Sequence, residues 1–279
     1  MARVRISILV DDTVGGRNCW AEHGLSLLVE TPSYKVLFDT GQSGVVLLHN
    51  AAEMGIRLED LDAVVLSHGH YDHVNGLPAL LARTGPLDVY AHPGAFAAKY
   101  AAGREGEAPR KIGSSYTEES IRAAGARLHL EQGPSRLTEE IILTGEIPNS
   151  TGFEDVPRGF LVEKQGRPVT DFLLDEQAMA VRTAGGLVVI LGCGHPGVIN
   201  TVNYSRRLAG AEVNAVIGGM HLETASLSRL QLTIQALLEL RAEKIVPLHC
   251  SGFKARAEMA RQLKEEVFVT AAAGEVINF

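Results

Sequence analysis

The sequence predicts an α/β fold in which strands are followed by helices. Two continuous apolar runs, residues 63–67 (AVVLS) and 186–191 (GLVVIL), read as strands buried on both faces. A glycine-bearing turn and a helical pattern follow each of them, so the strand–helix unit recurs in both halves of the chain. No Pro-, Ser- or Gly-rich linker separates the halves, and the 279 residues are assigned to a single domain, 1–279.

Residues 4–10, 26–30 and 35–39 are rich in Val, Ile and Leu and bounded by Gly, Pro or Asp, which predicts three short strands. Residues 45–54 predict a helix that Gly55 ends. The strand at 63–67 leads into a loop that holds the main histidine motif. A helix at 77–82 and a strand at 87–91 follow. Residues 94–134 are dominated by Gly, Ala, Arg, Lys and Glu, and 103–115 (GREGEAPRKIGSS) is polar. This stretch predicts an excursion from the core that lies over the site as a lid. In the second half, strands are predicted at 140–144, 160–163, 178–182, 186–191, 215–217, 244–248, 267–269 and 275–277. Helices are predicted at 198–208, 227–240 and 254–264.

Hydrophobic residues make up 46% and charged residues 21%, a balance that supports a packed core and excludes a disordered chain. The net charge is −7 and the basic residues form no run, which argues against a nucleic-acid partner. No segment reaches the length of a membrane span, and 1–12 lacks a secretory apolar region, so a soluble, cytoplasmic protein is expected. Three cysteines, Cys19, Cys193 and Cys250, do not make a disulfide framework and are expected as reduced thiols. Oligomeric state is not legible.

The chemistry is carried by Ser67-His68-Gly69-His70-Tyr71-Asp72-His73, where three histidines and an aspartate fall within six residues just after a buried strand. Imidazole and carboxylate are ligands for zinc and related divalent ions. Alternation along an extended turn sends His68, His70 and Asp72 to one side, and His73 is left to reach a second ion. Two adjacent ions sharing a hydroxide make a nucleophile at neutral pH. Gly69 and Gly76 are expected to supply backbone freedom. The opposing reading, a His-rich surface loop without a ligand, is weaker because the pattern is dense and follows a buried strand.

The HxHxDH pattern after an apolar strand, preceded by Asp39-Thr40-Gly41 at the end of another, resembles the metallo-β-lactamase superfamily. The resemblance implies a four-layer αβ/βα sandwich with the metals at the edge between two sheets. It implies that His68 and His70 hold a first metal and Asp72 and His73 a second. His249, in Val-Pro-Leu-His-Cys, matches the last histidine of the family, and Asp39 would orient the histidine loop by hydrogen bonds without binding metal. The strand end Leu191-Gly192-Cys193-Gly194-His195 lacks the usual aspartate. There His195 is the preferred ligand, and Cys193 stands at the acidic position as either a ligand or a buried thiol. Glu146, near the place of the third motif, is a candidate contact to metal or substrate. His221, in Gly-Gly-Met-His-Leu, is a candidate acid/base or substrate contact, and His23 a weaker pocket candidate.

The segments GHYDHVNGL, GEIP, GCGHPGVINTV, GGMHL and LHCSG resemble a subgroup that includes the archaeal dihydropterin-ribofuranosylaminobenzene 5′-phosphate synthase. The expectation is a metal-dependent hydrolase with a dinuclear site, zinc first and iron or manganese as alternatives. In it a metal-bound hydroxide attacks an ester, lactone or phosphoester-type small molecule, Asp72 holds metal and water, and His221 donates a proton. Arg104, Arg110, Lys111 and Arg158 are candidate contacts to an anionic substrate group, weighed against solvated surface charge. The alternative is a synthase-like transferase releasing pyrophosphate. A third class, the di-iron members that reduce dioxygen or nitric oxide, usually carries a flavin domain for which this chain has no room.

Overall fold

The computed structural model describes residues 4–103 and 106–279. A seven-stranded sheet runs in the order Val276–Asn278, Arg5–Val10, Ser26–Glu30, Lys35–Phe38, Ala63–Val65, Leu87–Ala91, Ala126–Leu130. A six-stranded sheet runs Lys244–Leu248, Val213–Gly219, Leu187–Leu191, Met179–Arg182, Ile141–Leu143, Ser135–Arg136. A smaller sheet orders Arg167–Thr170, Phe160–Lys164, Lys99–Ala101 and Arg110–Lys111.

Alternation explains why the central strands read as unbroken apolar runs. Val36, Phe38 and Val65 of the first sheet face Val188, Ile190 and Ile217 of the second in one shared core. Leu37, Val64 and Leu66 point the other way, onto the helices Val45–Glu53 and Leu77–Thr84. Val189 and Leu191 likewise meet Val198–Ala209, Leu227–Glu239 and Phe253–Gln262. The result is four layers, helix–sheet–sheet–helix, each sheet buried on both faces. Ile190 is fully buried between the sheets. Ile190→Val is therefore expected to cost about 0.5–1.5 kcal/mol, read as a shift of the denaturation midpoint at unchanged slope.

Topology also places the chemistry. Lys35–Phe38, Ala63–Val65 and Leu87–Ala91 are mutually parallel, as are Leu187–Leu191, Val213–Gly219 and Lys244–Leu248. Asp39, His68, His195, His221 and His249 all lie just beyond the carboxyl ends of these strands, the edge at which α/β sheets present ligand sites.

The excursion differs from its expected extent. Thr117 caps the helix Glu118–Ala123 with a reciprocal capping box, and Ala126–Leu130 is a strand of the main sheet. Only the part up to about 116 leaves the core, where Lys99–Ala101 pairs with Phe160–Lys164. The predicted strand at 267–269 is reduced to a bridge between Ile245 and Phe268. Among the described residues no helix is long and apolar enough to cross a membrane.

Candidate metal centre

The histidine motif is half extended and half helical. His70 keeps an extended backbone, and Tyr71–Val74 then forms a short helix. This corrects the expectation of one extended turn: Asp72 and His73 diverge because they are consecutive residues on a helical turn. Gly69 and Gly76 are needed for room and not for unusual torsions. A Cβ on Gly69 would lie 2.1 Å from Ala95 O, and one on Gly76 2.0 Å from Thr40 O.

The fold gathers these side chains into overlapping donor groups whose ligand atoms lie within 4.8 Å of one another. One group is His68, His70 and His195; another is Asp72, His73 and His249; a third, Asp12, His23 and His249, extends the second toward solvent. His73 and Cys193 join the first two groups, since Cys193 Sγ lies 3.2 Å from His73 Nε2.

Most of the imidazoles are fixed through Nδ1 so that Nε2 points inward. The Asp39 carboxylate accepts from Ser67 N at 2.7 Å, from Ser67 Oγ at 2.7 Å and from His73 Nδ1 at 2.7 Å. Ser67 Oγ in turn accepts from His68 Nδ1 at 2.9 Å. His249 Nδ1 donates to Asp12 Oδ1 at 2.6 Å, and its backbone N–H donates to Asp11 Oδ1 at 2.7 Å. His195 Nδ1 donates to Glu176, whose carboxylate also accepts from the backbone of Gly194 and His195. Carboxylates placed this way select the tautomer that leaves Nε2 as a lone-pair donor.

Three of those atoms, His68 Nε2, His70 Nε2 and His249 Nε2, are buried with no hydrogen-bond partner. An orphaned buried acceptor costs about 1–3 kcal/mol, so a cluster of them fits cations and fits little else. His249 Nε2 and Asp72 Oδ2 stand 3.4 Å apart without hydrogen-bond geometry, as two ligands of one ion do.

In the first donor group the electrostatics agree. In the second, burial works to lower His73 and His249, but the carboxylates of Asp39, Asp12 and Asp72 raise them, so a cation there displaces protons. Burial, reinforced by neighbouring histidines, pushes His68 and His70 well below the usual imidazole range, and burial with His221 does the same to His195. These rings are held neutral, the form that binds metal. Burial works to raise the Asp72 carboxyl, but His73 and His249 outweigh it and hold it below the usual carboxylate range. Burial pushes Glu176 up to about 7 against two backbone hydrogen bonds.

The other candidates are placed as follows. His23, half exposed, sits with Nε2 3.3 Å from Asp72 Oδ2 and Nδ1 3.0 Å from Asp12 Oδ2. His221 lies beside the first group, its ring 4.4 Å from that of His195 and tilted to it by 48°. Glu146 pairs with His92 at 3.2 Å and belongs to none of the donor groups, because the strand end that carries it opens beside His92. Arg110 and Lys111 lie exposed on the small sheet, and Arg104 lies outside the described residues. Arg158 lines a cavity of about 770 Å³ with Phe160, Phe172, Leu174 and Pro196. Phe160 joins this cavity to the centre, its ring 5.3 Å from His70 and 5.4 Å from His195.

Sequence reasoning missed Asp12 and Glu176. Asp11-Asp12 reads only as the end of an apolar run, and Glu176 as one acidic residue among several. Asp39→Ala is expected to weaken metal affinity about 10–100-fold, because Ser67, His68 and His73 lose their common anchor. Competition with a chromophoric chelator measures it, and unchanged affinity would remove the role.

A family model described as the metallo-beta-lactamase superfamily matches residues 20–208. The 7,8-dihydropterin-6-methyl-4-(beta-D-ribofuranosyl)-aminobenzene-5'-phosphate synthase of Methanocaldococcus jannaschii is 34% identical across 99% of this chain and 97% of that protein. Tm1679, solved as a metal-dependent hydrolase of the beta-lactamase superfamily, superposes with a TM-score of 0.83 at 31% identity, over 98% of each chain. Zn(2+)-bound PqqB from Methylobacterium extorquens shares the fold, with a TM-score of 0.61 at 15% identity over 99% of this chain and 100% of that one.

Proposed function

Because the chain belongs to the metallo-β-lactamase superfamily, we propose that it is a metal-dependent hydrolase of small ester, lactone or phosphoester-type substrates. The observation that carries this reading is the set of buried, partnerless Nε2 atoms on His68, His70 and His249. His68, His70 and His195 hold one divalent ion and Asp72, His73 and His249 a second, with His23 at its solvent side. Zinc is the first expectation, and iron or manganese suits the same nitrogen and oxygen donors. When bound, such ions polarise a carbonyl or phosphoryl oxygen and lower the pKa of water.

The chain's own residues do the rest. Asp39, Asp12 and Glu176 hold the rings in register, so little reorganisation is needed at the moment of reaction. Asp72, kept ionised, would accept a hydrogen bond from a nucleophile and orient it. The cavity beside Phe160 offers an apolar wall of Phe172, Leu174 and Pro196 to a substrate body, and Arg158 is the cation in a lining that also carries Asp155 and Asp171.

One observation favours a second reading. Identity of 34% across nearly the whole chain to the M. jannaschii synthase supports a transferase in which the same residues assist departure of pyrophosphate. A parallel assay separates the two: pyrophosphate release from a dihydropterin pyrophosphate with the aminobenzene ribotide, against hydrolysis of esters, lactones and phosphodiesters. The hydrolase reading expects turnover in the second set and none in the first; the reverse outcome replaces it.

A further inference from the structure

Cys193, His221 and Cys250 each lie two residues beyond one of three parallel strands of the second sheet, Leu187–Leu191, Val213–Gly219 and Lys244–Leu248. Their ligand atoms lie within 4.8 Å of one another. The middle strand separates the two cysteines, and the thiols meet across it because residue 219 is glycine. A Cβ there would stand 2.9 Å from Cys250 Sγ and 3.1 Å from Cys193 Cα.

Two further observations point to a ligand. His221 Nδ1 is buried with no hydrogen-bond partner. His221 and His249 also adopt φ of 45° and 44°, a region non-glycine residues enter at a cost of about 1–3 kcal/mol. All three cysteines are free thiols, and Cys250 Sγ donates to Cys193 O at 3.4 Å and lies against the Cys193 thiol and the His221 ring.

We propose that Cys193, His221 and Cys250 form an additional, sulfur-rich cation site for a thiophilic ion such as Zn2+, Cd2+ or Cu+. Two thiolates and an imidazole are the soft donor set such ions select over oxygen ligands. Binding releases the two thiol protons and uses the His221 lone pair. The site shares Cys193 with the histidine centre, whose His73 Nε2 lies 3.2 Å from that sulfur, and adds His221 and Cys250, which belong to none of the other donor groups. The site assigns His221 to a cation in place of the proton-donor role that the sequence points to.

The test titrates the full-length, metal-stripped, reduced protein with Cd2+, reading sulfur-to-cadmium absorption in the ultraviolet and bound cadmium by elemental analysis. The double variant His70→Ala/Asp72→Ala is expected to keep the sulfur–cadmium band. Cys250→Ala is expected to lose at least about half of it together with one bound ion, while Cys19→Ala changes nothing. A band that vanishes in the double variant yet is untouched by Cys250→Ala overturns the site, because it describes a lone Cys193 on the histidine centre. Absence of any band in the wild type overturns it as well. Should the double variant misfold, His221→Ala serves instead: weaker formation of the band supports the site, and an unchanged titration overturns it. The histidine centre is judged separately by zinc content, so failure of one reading is distinguishable from failure of the other.

Discussion

His70→Ala and Asp72→Ala are each expected to strip metal and abolish turnover while leaving the fold in place. Each residue is a member of a donor group, and neither lies in the apolar clusters that hold the sheets and helices together. Removing His70 deletes an imidazole whose Nε2 has no protein partner, so no protein hydrogen bond to that atom is lost. Removing Asp72 deletes the carboxylate that His73, His249 and His23 all face, at 3.5, 3.4 and 3.3 Å. The activity loss should exceed the roughly 10²–10³-fold that loss of one transition-state donor costs. Far-UV circular dichroism checks the fold and elemental analysis the metal. Wild-type metal affinity in both variants would defeat the assignment.

The second large effect concerns a buried ion triad that belongs to none of the donor groups. Lys99 Nζ donates to Asp171 Oδ2 at 2.6 Å and to Asp175 Oδ1 at 2.8 Å, with all three residues buried. Asp175 also accepts from Gly69 N at 2.8 Å, inside the histidine motif. The triad thus ties the small sheet and the cavity wall at 171–174 to the metal loop. Lys99→Ala leaves two buried carboxylates without their cation and is expected to cost about 3–5 kcal/mol. The deficit should shrink as pH falls: burial already holds the Asp175 carboxyl above its usual range, loss of the Lys99 cation raises it further, and protonation discharges it. Denaturant midpoints near neutrality and under acid conditions measure this. A deficit below about 1 kcal/mol, or one that grows on acidification, would refute the account.

Much of the fold was legible because it rests on local patterns. Unbroken apolar runs such as Ala63–Val65 and Leu187–Leu191 announce strands covered on both faces. The helices at 45, 198 and 227 follow the 3.6-residue period. The start of the return to the core at Thr117 was hidden, although Thr-x-x-Ser with paired glutamates is a capping signal. In the site, the histidine motif, His195 and His249 stand out because imidazoles cluster at strand ends. Asp12, Glu176 and Lys99 do not, because their meaning lies in contacts across 237, 19 and 76 residues of chain. A carboxylate on a distant segment carries no local mark of the ring it will hold. Glu146, chosen for its place in the order of motifs, is turned by the fold toward His92.

The central claim is that partnerless imidazole nitrogens and one ionised carboxylate exist here to bind cations that drive the chemistry. Elemental analysis of the purified protein, paired with activity before and after chelation, tests it most directly. The account predicts two divalent ions on the histidine centre, loss of turnover on stripping, and recovery when zinc or the native ion is restored. A protein that carries no metal as purified and turns over substrate undiminished in chelator would contradict it.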